Sequence, residues 1–536
     1  MRRWNGWGDD SITFALNADA LEFLRERIGV GVAPADAELS QICQQLPASR
    51  LTAHALIDTS PETRLRHSSG QSVPDWLKMR YGKIQTFPDG VAYPESIEEL
   101  RTLLDYAGQR NIALIPYGGG TSVVGHLQVI ASDQPVLSVD MSRLCGLLDL
   151  DKEAQLARFG AGTFGPDIEA QLRAQGYTLG HFPQSFEYST LGGWVVTRSS
   201  GQQSLGYGRI ENLFAGGRVE TPQGRLDIRP FPASAAGPDL REILLGSEGR
   251  MGILTEATVR IRPLPACEEF HAVFFHDWDA AQAAIRAIVQ AEPGLSMLRL
   301  SNATETLTSL TLAGHKKMIG VLESYLRLRG CGSEKCLLLL GASGDGRHVR
   351  HAIRSSLKIA RGWQGIHVGR YMGEKWKQGR FKNVYLRNSL WEQGYVVDTV
   401  ETACDWSKVK GMMLGMEQTG KDIMSSEDEK LHVYTHLSHL YAQGASVYTT
   451  FVYRLSGDFD RDMARWYKLK SAISRFIVSH GGTISHQHGV GYDHAPYLAV
   501  EKGELGMSSL HHLYRHFDPK GIMNPGKLLP AEGSLR

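Results

Sequence analysis

Several features that would point elsewhere are scarce or missing. Cysteine is sparse, six in 536 residues, scattered at Cys43, Cys145, Cys267, Cys331, Cys336 and Cys404. Only Cys331 and Cys336 are close in sequence, and no second pair completes a zinc site. That excludes a disulfide-framed scaffold and fits a reducing, cytoplasmic setting. No run of about 18 apolar residues occurs, so no transmembrane helix is expected. The opening Met1-Arg2-Arg3-Trp4 carries no apolar signal region. An excess of one charge is missing too: 58 Lys+Arg face 57 Asp+Glu, a net charge of +1. There is no basic field for nucleic acid and no acidic tail. Two nucleotide motifs are absent. Gly526-Lys527 is followed by Leu528, not by Ser or Thr, so there is no P-loop. Gly246, Gly249 and Gly252 lie three apart and feed a strand pattern instead of opening a helix, so they are not a dinucleotide fingerprint.

What is present is a set of glycine and hydroxyl loops. Ile112-Ala113-Leu114-Ile115 reads as a short buried strand. It runs into Pro116-Tyr117-Gly118-Gly119-Gly120-Thr121-Ser122. Three consecutive glycines here read as an open backbone that a ligand can approach, not as packing residues. Bare N–H groups with two hydroxyls form an anion cradle suited to a pyrophosphate. A second loop runs Pro183-Gln184-Ser185-Phe186-Glu187-Tyr188-Ser189, then Gly192-Gly193 and Thr197-Arg198-Ser199-Ser200. It has too few apolar positions for a helix core and reads as a second channel lining. The third, Glu248-Gly249-Arg250-Met251-Gly252-Ile253-Leu254, enters a strand that alternates as if half-buried.

The length is too great for one core, so two or three domains are expected. Residues 1–83 read as a helical arm in which Trp4 and Trp7 pack onto another domain. Residues 84–265 carry the glycine loops. They begin with a β–α–β unit in which Ser96 and Glu99 form a capping box ahead of Ile97, Leu100, Leu103, Leu104 and Ala107 on one helical face. Residues 266–440 alternate helices and strands as a separate cap. Residues 441–536 complete the cap and active site.

The three loops, in this order, resemble the FAD-binding domain of vanillyl-alcohol-oxidase (PCMH-type) flavoproteins, and Asp518-Pro519-Lys520-Gly521-Ile522-Met523-Asn524-Pro525-Gly526-Lys527 resembles the closing segment of FAD-linked oxidases. Four stretches narrow this. Arg3-Trp4-Asn5-Gly6-Trp7-Gly8, His181 to Ser200, Tyr385-Leu386-Arg387 with Val400-Glu401-Thr402, and Ile484-Ser485-His486-Gln487-His488-Gly489-Val490-Gly491 resemble the alkyldihydroxyacetonephosphate synthase family from Arg2 to Lys527. The resemblance implies an α+β protein: a two-subdomain FAD domain, an α/β cap and helical ends. It implies FAD held without a covalent bond, because the family makes no link from the position of His126. It also implies an exchange without net redox, in which the flavin holds a dihydroxyacetone phosphate carbon while a fatty acid leaves and a fatty alcohol enters. The expected partners are lipid-like substrates, acyl-dihydroxyacetone phosphate and a fatty alcohol. Peripheral membrane contact and a homodimer are expected as well. The rival reading of the same loops is an FAD-dependent 2-hydroxy-acid dehydrogenase of the D-lactate or glycolate type.

Residue roles follow from the match. Arg387 becomes the phosphate cation, since a guanidinium grips phosphate through two bonds; the alternative is a surface ion pair. Tyr448 becomes the acid/base for the C1 proton; the alternative is strand packing. His486 and His488 are two apart, so on a strand they share a face and could carry protons. A metal there is the weaker option, with no carboxylate or cysteine at ligand spacing. Arg299 matches an arginine that supports the flavin site, or is structural. The chain departs from the family at Phe182, Gln184, Thr449-Thr450, Gln487 and Tyr492, which bears on the substrate more than on the cofactor.

Overall fold

In the computed structural model, which describes residues 1–530, helices form where capping residues meet a 3.6-residue apolar period. Ile97–Arg110 illustrates this. Glu99 N donates to Ser96 Oγ at 3.1 Å, Leu100, Leu103, Leu104 and Ala107 are buried, and Asn111 closes the helix at φ 52°. Only half of the expected capping box is made. The Glu99 carboxylate accepts from Glu95 N at 2.7 Å, one residue before the cap.

Two sheets carry the glycine loops. The first joins β1 (Ile57–Asp58), β2 (Gly90–Ala92), β3 (Ala113–Tyr117) and β4 (Val136–Asp140) in the order β1-β2-β4-β3, parallel from β2 to β3. The parallel pairing follows from the Ile97–Arg110 crossover helix. The second is antiparallel, with β5 (Leu147–Asp151), β6 (Leu156–Gly160), β8 (Phe214–Thr221), β9 (Gly224–Ile228) and β10 (Ile253–Arg260) in the order β5-β6-β10-β8-β9. A short ribbon of β7 (Tyr177–Thr178) and β11 (Arg262–Pro263) lies alongside. β10 is not half-buried as its alternation suggested: Ile253 to Val259 are all buried, because the strand sits centrally between β6 and β8.

The cap is a seven-stranded antiparallel sheet ordered β15-β12-β14-β13-β17-β18-β16. Its strands are β12 (Cys267–Phe275), β13 (Met297–Ser301), β14 (Cys336–Gly344), β15 (Ile366–His367), β16 (Tyr395–Asp405), β17 (His432–Leu440) and β18 (Gly444–Arg454). The β17–β18 hairpin crosses the expected 440/441 border, and β1 draws residues before 84 into the first sheet. Chain order therefore does not coincide with sheet membership at those two edges. The opening arm packs as a strap. Trp7 is buried in the cap core beside Trp76 and Tyr385, and its backbone exchanges two hydrogen bonds with the Asn388 amide.

Candidate active site

A cavity of about 960 Å³ lies between the glycine loops and the cap sheet. Residues 116–122 line it, with Pro183, Gln184, Ser185, Ser189, Gly192, Gly193, Thr197, Ser199, Ser200, Glu248, Gly249, Gly252, Ile253 and Leu254. The other six loop residues do not. Phe186 and Met251 fill the core, Tyr188 hydrogen-bonds Tyr385 through the phenols at 3.1 Å, and Tyr385 also reaches Glu187 at 3.2 Å. Arg198 turns out to Glu242, and Arg250 donates to Met523 O at 2.6 Å. Nor is the 183–200 stretch loop throughout: Leu191–Thr197 is a helix capped by Thr190 and anchored by Leu191, Trp194 and Val195.

The glycines of the cradle line the cavity and serve packing as well. A Cβ on Gly119 would fall 1.6 Å from Tyr188 O, and one on Gly118 would fall 2.4 Å from Thr190 Oγ1. The first two loops thus touch backbone to backbone, which no side chain permits. Gly193 differs. A Cβ there would meet only Thr190 Oγ1, at 3.4 Å, so its bareness opens the cavity itself.

The cap contributes a polar row that crosses three strands. Tyr448 on β18 stands opposite Glu401 on β16 and His436 on β17. Residues opposite each other in an antiparallel ladder share a face. His436 stacks on the Tyr448 ring at 4.7 Å, and Arg299 donates to Glu305 at 2.7 Å and to His436 Nδ1 at 3.1 Å. Burial pushes the Tyr448 phenol up to about 12, so it is protonated at neutral pH. The Arg387 guanidinium lines the same cavity, lies 4.4 Å over the Trp76 ring and donates to Gln71 O at 2.8 Å. Among the described residues it has no carboxylate partner within 4 Å, so the surface ion pair is not what it makes. Burial lowers it to about 10, still cationic at neutral pH.

The two histidines do not share a face, because residues 484–490 form a loop, not a strand. A buried carboxylate organises that loop. Glu401 Oε1 accepts from the N–H groups of His486, Gln487 and His488 at 3.0–3.1 Å and from Ser485 Oγ at 2.9 Å. Such convergent amides make an anion nest. His488 and Gln487 line the cavity, and the His488 ring meets Tyr448 edge-on at 5.7 Å. His486 is turned behind the wall, with Nε2 2.6 Å from Tyr441 Oη and 2.5 Å from Arg209 Nη1. Burial holds His488 below its ordinary value and His486 well below. Glu248 is likewise committed. Its carboxylate accepts from Val490 N at 2.6 Å and Gly491 N at 2.8 Å and faces His126 Nε2 at 3.1 Å, which ties the third loop to the histidine loop. Sequence reasoning passed over Arg209 and Tyr441, and it met Asn524 only inside the matched closing segment, without a role. Glu401 was visible only as part of a matched stretch, without a role. No group of three or more His, Cys, Asp or Glu suited to a metal occurs among the described residues.

These residues fit a flavin dinucleotide. Loop backbones and hydroxyls surround one end of the cavity. Asn524 Oδ1 and Gln487 Oε1, both on its wall, are buried without a hydrogen-bond partner, and buried polar atoms without partners are costly.

Comparison with known proteins defines the class. Residues 88–227 match the FAD binding domain family, and residues 264–528 match the C-terminal domain of FAD linked oxidases. The chain is an FAD-dependent enzyme of the FAD-linked oxidase type. The particular family is set by relatives. Alkyldihydroxyacetonephosphate synthase of Dictyostelium discoideum is 32% identical over 475 residues, 87% of this chain and 77% of that one. Its Caenorhabditis elegans counterpart is 29% identical over 99% of this chain and 96% of its own. A solved alkyldihydroxyacetonephosphate synthase superposes with a TM-score of 0.85, at 26% identity over 98% of both chains. The chain belongs to the alkyldihydroxyacetonephosphate synthase family.

Proposed function

We propose that this enzyme exchanges the acyl group of an acyl-dihydroxyacetone phosphate for a fatty alcohol, forming the ether and releasing a fatty acid with no net redox change. The observation that carries the reading is the pairing of Tyr448 with an unpaired Arg387 on one cavity wall. Arg387 binds the phosphate. Tyr448, protonated and held between His436 and His488, passes the C1 proton. His488, neutral at pH 7, is the residue placed to relay it. Arg299 fixes His436. FAD, when bound, supplies a nitrogen nucleophile, and residues 116–122, 183–185, Ser189, Gly192, Gly193, Thr197, Ser199, Ser200, Glu248, Gly249 and 252–254 are placed to hold it.

Three finer points belong to the same proposal. FAD is held without a covalent bond. His126, next to the cradle, has Nδ1 hydrogen-bonded to Ser122 Oγ at 2.7 Å and Nε2 facing the Glu248 carboxylate at 3.1 Å, which supports this; acid should release free FAD. Second, the enzyme contacts membranes peripherally. No helix among the described residues is long and apolar enough to cross one. The Lys316–Leu328 helix exposes Met318, Val321, Tyr325 and Leu328, while its Met318, Ile319 and Leu322 line the cavity, which supports contact at the lipid entrance. Third, the family resemblance supports a homodimer, which light scattering would read as about twice the 59.2 kDa chain.

Anaerobic mixing tests the reaction. With palmitoyl-dihydroxyacetone phosphate and hexadecanol, ether and palmitate should form and the flavin should end oxidised. Rapid bleaching by D-lactate, with no ether formed, would overturn the assignment in favour of a 2-hydroxy-acid dehydrogenase.

A further inference from the structure

Arg387 is not the cavity's only guanidinium without a carboxylate. Arg380, which follows the helix Tyr371–Gly379, also lines the wall. Its Nη1 donates to Gln203 Oε1 at 2.7 Å, its one side-chain hydrogen bond among the described residues. No carboxylate lies within 4 Å of it there. The nearest along its hydrogen-bond chain, Glu268, is one glutamine away and already held by Lys377 at 2.9 Å and Ser343 Oγ at 2.9 Å. Aromatic rings fix the guanidinium instead. Its Cζ sits 4.5 Å from the Phe182 centroid, 4.8 Å from Phe381 and 5.9 Å from Trp376. An arginine held this way keeps its charge and most of its donors for something else. Burial brings it down to about 10, which leaves it cationic at neutral pH.

The surroundings say what that something is. Met372, Trp376 and Arg380 follow one another at intervals of four, so they share a helix face, and all three line the cavity. The face is apolar, then aromatic, then cationic, over about 12 Å. Leu337 and Leu339 of β14 line the same cavity. This is the pattern of a single-chain amphiphile with an anionic head. Arg387, by contrast, belongs to the Trp76 and Gln71 side.

We infer that Arg380 is a second anion site of the cavity, which takes the carboxylate of a long-chain fatty acid while the chain lies along Trp376 and Met372. The inference rests on the proposed exchange only in identifying that acid as the group released. The binding site stands or falls separately. With Arg380 and Arg387 at separate places on the wall, the cavity holds phosphate at Arg387 and receives the departing carboxylate at Arg380, so product acid and phosphate ester do not compete for one guanidinium.

The test is binding to the flavin-loaded enzyme without turnover. Palmitate below its micellar range, hexadecanol and dihydroxyacetone phosphate are each titrated, with flavin absorbance and Trp fluorescence as readouts. In Arg380→Gln, palmitate affinity should fall about 10-fold or more, the scale of hydrogen bonds to a charged group. Hexadecanol and dihydroxyacetone phosphate should stay within about twofold, since neither presents a carboxylate. Arg387→Gln should show the converse, with loss on dihydroxyacetone phosphate alone. If glutamine unseats the ring stack and lowers flavin content, Arg380→Lys is read instead. It keeps stem and charge but not the fork, and palmitate should still weaken several-fold against hexadecanol. Unchanged palmitate affinity, or equal losses for palmitate and hexadecanol, would overturn the site. Failure of ether formation with palmitate binding still dependent on Arg380 would sink the exchange reaction and leave this site standing.

Discussion

Arg209 Nη1 lies 2.5 Å from Nε2 of His486. An arginine can only donate, so Nε2 must accept, and the neutral imidazole carries its proton on Nδ1. That nitrogen faces Glu401 Oε2 at 3.8 Å. Protonating His486 would place a second cation against Arg209, and burial together with His439 and Arg209 already holds it well below its ordinary value. His486 is therefore a neutral prop for the loop, and the two histidines should behave differently. His488→Ala should cost turnover on the order of 10²-fold, as for a proton-transfer group, whereas His486→Ala should act through loop position. The pH profile separates these roles. In Arg209→Met, Nε2 keeps only Tyr441 Oη as a partner and loses the neighbouring cation, so the acid limb of kcat should move to higher pH as His486 becomes easier to protonate. A limb that stays in place would show that Arg209 does not control this imidazole.

Tyr448 is held by its ladder position opposite Glu401 and His436, so removing its oxygen should leave the strand intact. Tyr448→Phe should retain FAD and its melting temperature and lose exchange by about 10²-fold or more. Proton exchange at C1 of the bound substrate, followed by loss of label, should fall in parallel. Wild-type exchange in the variant would remove Tyr448 from the reaction.

The parts of this site that were legible in the sequence share one property: short segments carry them. A strand ending in Gly118-Gly119-Gly120, a strand tyrosine at 448 and a helix opened by Ser96 each follow from local pattern. What was not legible depends on contacts between segments far apart. Glu401 is opposite Tyr448 only because β16 and β18 pair, and it meets the amides of 486–488 some 85 residues downstream. His486 and His488 were placed on one face by strand periodicity, but the nest around Glu401 curls the chain out of a strand, and the alternation is lost. Gly118 and Gly119 line the cavity as their pattern suggests, yet both are also closed against the next loop, which no local pattern shows. Periodicity reports which face is buried, not what buries it.

That last point can be tested with two single substitutions. Gly119→Ala forces a methyl group into the Tyr188 carbonyl, 1.6 Å away, so loops one and two must part. The variant should lose both FAD and thermal stability. Gly193→Ala adds the same methyl group where only Thr190 Oγ1 stands, at 3.4 Å. It should keep the apoprotein's melting temperature and weaken FAD alone, measured by flavin titration. Equal effects of the two on the apoprotein melt would contradict the distinction between packing and cavity glycines.

Asp493 offers a pH-dependent stability test away from the reacting groups. Its Oδ2 is buried without a hydrogen-bond partner. Burial, with Asp75 and Asp398 adding repulsion, raises it to about 7 against the pull of Lys470 and His126. The sign follows from linkage. The folded protein keeps a proton that the unfolded chain gives up at the ordinary carboxyl value near 3.8. Stability therefore drains as pH rises from about 4 to about 7 and levels off above that. Asp493→Asn, nearly the same shape with no charge to bury, removes the effect. Its melting temperature should match wild type near pH 4, exceed it increasingly through pH 5 and 6, and hold a constant lead of a few degrees above pH 7. Thermal melts in steps of half a pH unit from 4 to 8 read the difference directly. A gap that is flat across that window would mean that Asp493 ionises in the folded protein as it does in the unfolded chain, and one that narrows toward pH 8 would mean that folding favours its ionised form; either result contradicts the raised value.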